Sequence, residues 1–177
     1  VYLMLKKIIN HILSKNEKRI GVKLDYARKI ISVDNRLFMR YGKIFGFLDP
    51  RKNLPIDAYH ASRICGALSA DCGSCVEAEI NLAKNSGLSD EVINHILVKD
   101  FDSLPDNIVA VVELSSAVTN FQDAPEAREK VIKYYGEKGL VELSFAMNGA
   151  ALLPGIKRAM GYATSCNLDI LRRVSPQ

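Results

Sequence analysis

Apolar residues recur every three or four positions along almost the whole chain, and this spacing most constrains what it can fold into. Leu3, Leu5, Ile8, Ile9, Ile12 and Leu13 form one such stripe, with lysines between them. The spacing is that of one helix face. No stretch alternates convincingly with the period of two that a half-buried strand needs. Val109–Leu114 is the nearest candidate, and its flanks favour helix. The pattern predicts an all-α domain, a compact bundle of short antiparallel helices. The first helix should end near Asn16, followed by helices over Leu24–Ser32 and Asn35–Leu48. Further helices are predicted over Ile56–Ala70, Cys72–Asn85, Asp90–Lys99 and from Pro105 to about Asn120. One more opens at Asp123-Ala124-Pro125-Glu126 and ends at glycines 136 and 139. The last, Val141–Thr164, should kink at Pro154. Asp71 and Ser89 are the natural N-caps, and Gly87 a natural stop.

A length of 177 residues suits one domain, and 48% hydrophobic with 25% charged residues excludes wholesale disorder. No apolar run approaches the roughly 18–20 residues that span a bilayer, so no membrane association is expected. Charge is uneven. Residues 1–54 hold 13 Lys and Arg against 4 Asp and Glu, and residues 55–177 hold 11 against 16. The breaking stretch Asp49-Pro50-Arg51-Lys52-Asn53-Leu54-Pro55 marks the change of sign. The expected organisation is a basic helical segment, 1–54, packed on a core, 55–177, as one compact domain. Phe38, Tyr41, Phe45 and Phe47 fall at helical spacing, which fits packing better than a nucleic-acid arm. The opening VYLMLKKIINHIL has lysines inside its apolar stretch and no small-residue cleavage site, unlike a signal peptide. The cytosol is the expected compartment, where cysteines stay reduced unless they serve redox chemistry or a metal.

The sharpest local feature is Asp71-Cys72-Gly73-Ser74-Cys75. A CxxC pair suits a zinc half-site, a redox couple or plain core packing. Structural zinc needs four ligands; no second pair is present, and Cys65, Cys166 and His60 match no standard module, so no metal is expected. The redox reading has a physical basis. At a helix start, unpaired N–H groups and the helix dipole favour the thiolate, although Asp71 opposes it. Glu79 lies one turn beyond Cys75. In a hairpin of the two helices, His60 would sit level with Glu79, bringing a thiol, a carboxylate and an imidazole to one seam as a proton relay. His60 as an ordinary core or surface histidine is the competing reading. Cys65 should pack as a small apolar residue.

CGSC, the following NLAKNSGLSDEVI and the downstream GLVELSFAMNGAALLPGIKRAMG together resemble the carboxymuconolactone decarboxylase superfamily, within it the alkylhydroperoxidase D-like branch. The resemblance covers roughly residues 35–166. It implies an all-α trimer or hexamer that reduces hydroperoxides through its cysteine pair, without a cofactor. A dithiol partner, a lipoyl group or a thioredoxin-like protein, then re-reduces the pair. The family's peroxidase pattern places Glu twelve residues before the first Cys and His four after the second. Here Cys72 and Cys75 match, but His60 and Glu79 stand exchanged. The resemblance implies that Cys75 attacks the peroxide, Cys72 resolves, and Glu79 with His60 manages protons. An intact pair argues against the superfamily's decarboxylase chemistry, which does not depend on CxxC. A non-catalytic redox-sensing module is the alternative from another class. A homo-oligomer is also expected because short helices leave apolar faces uncovered; light scattering at the mass of one 19.6 kDa chain would refute it.

Overall fold

The computed structural model describes residues 2–48 and 51–165, and among these it is all helical. The elements are α1 (Tyr2–Ile20), α2 (Asp25–Val33), α3 (Asn35–Leu48), α4 (Ile56–Ser69), α5 (Gly73–Asn85), α6 (Asp90–Val98), a 3-10 turn (Phe101–Ser103), α7 (Asp106–Thr119) and α8 (Pro125–Ala159). No strand occurs among the described residues; Val109–Leu114 lies within α7.

The centre is α4, buried at every position from Ala58 to Ala67. Its small residues let neighbours come close: a side chain at Gly66 would collide with the Met147 backbone carbonyl of α8. α5, α6, α7 and α8 pack around α4, and their apolar faces close one core of Ile64, Ile80, Ile93, Ile96, Ile108, Val111, Leu143 and Met147. α1, α2 and α3 build a second, smaller cluster from Ile9, Leu13, Tyr26, Ala27, Ile31 and Tyr41, against which Leu153 and Met160 pack. α1 meets α5, and α3 meets α8.

Three boundaries depart from expectation. α1 runs to Ile20 rather than Asn16. Its last carbonyls need partners, and α5 supplies them: Asn85 Nδ2 donates to Arg19 O at 2.8 Å and Asn81 Nδ2 to Ile20 O at 2.9 Å. Gly21, at φ +73°, then turns the chain. The cap of α5 is Cys72, not Asp71, which sits one residue earlier in the left-handed region at φ 45°, where it turns the chain into the helix. The final helix stops at Ala159, five residues short, where Met160 caps it and Gly161 takes φ 78°. Ser89 caps α6 as expected, accepting from Val92 N, and α8 breaks at Gly136 with φ 70°, ψ 176°. By length and composition α8 is the one described helix that could cross a bilayer; 44% of its most apolar window is buried inside the protein.

Candidate functional site

Cys72 ends an extended residue, φ −127°, ψ 96°, and leads directly into α5. Its carbonyl accepts from Cys75 N at 2.9 Å and Val76 N at 3.0 Å, so the two cysteines share the first turn. Both are free thiols. Cys72 is fully buried; Cys75 is half-buried and lines a cavity of 430 Å³. Arg158 of α8 holds the preceding turn in place, donating through Nη2 to Ala70 O and Asp71 O at 2.7 Å each.

The neighbouring α8 residue, Lys157, is buried and reaches into this first turn. Its Nζ donates to Ser74 Oγ at 2.7 Å and lies 3.5 Å from Cys75 Sγ. It also stands over the Tyr26 ring, 5.3 Å from the centroid. The hydroxyls of Tyr26 and Tyr41 are hydrogen-bonded to each other in the same wall. Burial is the main cause raising both phenol pKa values.

The two thiols divide one charge unequally. Cys72 is brought down from 9.0 to about 5, first by the hydrogen bond from Cys75, then by Ser74 and the Lys157 charge, against the opposing effect of burial. Cys75 is pushed well above the thiol range, chiefly because it supplies that hydrogen bond and is itself buried; Lys157 pulls the other way. The two sulfurs titrate as a coupled pair, and the Lys157 ammonium beside Cys75 favours negative charge on that sulfur.

Glu79 lies one turn along α5 on the same cavity wall as Cys75. It does not meet His60. Arg63, one turn beyond His60 on α4, takes both carboxylate oxygens, with Nε to Oε2 at 2.8 Å and Nη2 to Oε1 at 2.7 Å. The hairpin register placed the right elements together, but the longer, charged Arg63 satisfies Glu79 bidentately, which an imidazole cannot. His60 Nε2 is 2.9 Å from Ser86 Oγ, its ring packs edge-on to Tyr59, and it lines an adjacent cavity. Cys65 is a core residue whose thiol is raised by burial to about 11, and Cys166 lies outside the described residues. Among the described residues no three His, Cys, Asp or Glu come together as a metal site.

Lys157 escaped the sequence reading, yet a signal existed. Leu143, Ala146, Met147, Ala150 and Pro154 are the buried stripe of α8, and Lys157 occupies its next position. A lysine on an apolar stripe must find a polar partner inside. No family model, no curated protein and no solved structure matches this chain.

Proposed function

We propose that the protein is a dithiol oxidoreductase that reduces hydroperoxides, with Cys75 as the attacking sulfur and Cys72 as the resolving one. The observation carrying this reading is the placement of the pair: Cys72 is fully buried, and Cys75 lines the cavity that a peroxide would enter. The sulfur on the cavity wall has an ammonium 3.5 Å away, and the buried one shares its helical turn, where it can resolve the oxidised partner.

The proton of Cys75 passes to Cys72, leaving the Cys75 thiolate against Lys157. That thiolate attacks the distal peroxide oxygen. The O–O bond breaks, Cys75 becomes a sulfenic acid, and the departing alkoxide takes a proton to leave as the alcohol. Cys72, which ionises readily, then attacks the Cys75 sulfur and expels hydroxide, which is protonated to water. The products are the Cys72–Cys75 disulfide, alcohol and water; an external dithiol returns two electrons and two protons. Glu79 keeps Arg63 in place rather than relaying protons. Ser74 positions Lys157 through its hydroxyl. The homo-oligomer and the cytosol belong to the same reading; exposed Val141 and Leu152 on α8 support the former.

The test is steady-state hydroperoxide consumption coupled to a dithiol such as dihydrolipoamide. Turnover is expected in the wild type and abolished in Cys75→Ser. Cys72→Ser should consume one equivalent and leave Cys75 as a sulfenic acid that a cyclic dione labels. Lys157→Met should slow peroxide attack by about tenfold or more, since an opposite charge at this range shifts a thiol by about 1–3 pH units. One round of oxidation without cycling in the wild type would instead assign a sensor, and unchanged turnover in Cys75→Ser would end the reading.

A further inference from the structure

Beside the thiol cavity lies a second one, of 350 Å³, whose wall carries three arginines, Arg19, Arg51 and Arg63. His60 and the Ser86 hydroxyl add polar groups, and among the described residues no carboxylate lines it. Arg51 and Arg63 both approach the Tyr59 ring, their guanidinium carbons 5.8 and 5.5 Å from its centroid. Arg19 comes from the other side, carried by the last turn of α1.

Among the described residues the charge of Arg19 and Arg51 is not balanced. Glu79 pairs with Arg63. Among the described residues neither Arg19 nor Arg51 has an ion pair, and both are exposed, so a ligand from solvent can reach them. Like charges gathered around one concavity raise each other's energy unless an anion joins them, and guanidinium is the side chain best shaped to take an oxyanion. The size falls within the ordinary range for small-molecule sites.

The two cavities share Arg19, Arg63 and Leu82. Beyond that shared wall, Ile12, Leu13 and Phe38 offer apolar surface. We propose that the arginine cavity binds the oxyanion head, a carboxylate or phosphate, of an organic molecule whose apolar body extends into the thiol cavity. This binding stands apart from the redox reading, since it needs no reaction at either sulfur.

The experiment is calorimetric titration of the full chain with octanoate, with octanol and with inorganic phosphate. Octanoate is expected to bind, more weakly as salt rises, while octanol does not. Arg51→Gln and Arg19→Gln should each weaken octanoate about tenfold, one charge-assisted hydrogen bond's worth. Lys43→Gln, at an exposed position of α3 outside both cavities, should change nothing. Phosphate that displaces octanoate supports the oxyanion head. Octanol binding as tightly as octanoate, or undiminished octanoate binding in the Arg19/Arg51 double variant, overturns the proposal. Repeating the titration on Cys75→Ser, which cannot turn over peroxide, keeps this outcome separate from that of the peroxidase assay.

Discussion

The two apolar clusters of this protein are built on different terms. Around α4, the residues that close the core are mostly 0% exposed, and they come from five helices spread along the chain. In the α1–α3 layer six of the described residues are buried, at 1–8% exposure, and polar clasps supplement them: the Tyr26–Tyr41 hydroxyl pair, and Glu17 held by Arg28 and Leu24 N. The Arg28 hydrogen bonds are the largest cause of the drop of Glu17 from 4.5 to about 2. The cysteine turn lies between the two. Its floor, α4 and α5, belongs to the tight cluster; Leu24, Tyr26 and Tyr41 of the roof belong to the loose one. Small clusters with few buried contacts open at lower free energy than a core does. The comparison thus teaches that access to Cys75 is governed by the basic front segment, while the position of the sulfurs is governed by the core.

Glu79→Gln attacks the tight side and should have the largest effect. It leaves the buried Arg63 charge without its bidentate partner, at a cost of about 3–5 kcal/mol. Urea unfolding should show the loss as a lower midpoint of the whole transition; a cost under about 1 kcal/mol would mean that water already serves Arg63. Ile31→Ala attacks the loose side, 3% exposed in the second cluster. It should cost about 2–3 kcal/mol, felt locally. Amide exchange should quicken in α1–α3 while α4, α7 and α8 stay protected. Uniform quickening would show that the layers unfold together and would erase the distinction.

A third effect comes from pH. Cys72 is depressed in the folded state, to about 5 from 9.0, so the folded protein binds fewer protons than the unfolded chain between those values. Its contribution to stability is complete above pH 9, declines as pH falls and is gone below about 5. Cys75, shifted the other way, reverses the slope above 9, where the unfolded thiol ionises and the folded one does not. The melting temperature should therefore climb from pH 5 toward 8, and Cys72→Ser, which retains a good capping residue, should flatten that climb. An equal climb in the variant would place the titration elsewhere.

The helical class and most helix positions were legible because apolar spacing and punctuation agreed, as at Ser89–Val98 and Asn35–Leu48. Boundaries failed where a distant residue decided them. Nothing near Asn16 announces that Asn81 and Asn85 will receive the end of α1. Within the site, the helix pair that carries Cys72, Cys75, His60 and Glu79 was readable from hairpin register. Which side chain would claim Glu79 was not, since Arg63 and His60 are one turn apart and length and charge chose between them. Lys157, 82 residues beyond Cys75, depends on how α8 lies across α5.

That crossing has a consequence for how the chain can vary. Consecutive residues of one helix perform two tasks: Arg158 grips the peptide carbonyls of the sulfur-bearing turn, and Lys157 faces the sulfur. The ruler between ammonium and thiol is thus main-chain geometry, not the reach of a flexible stem. One residue inserted after Pro154 would rotate both groups by about 100° around the helix axis, uncoupling grip and charge in a single step.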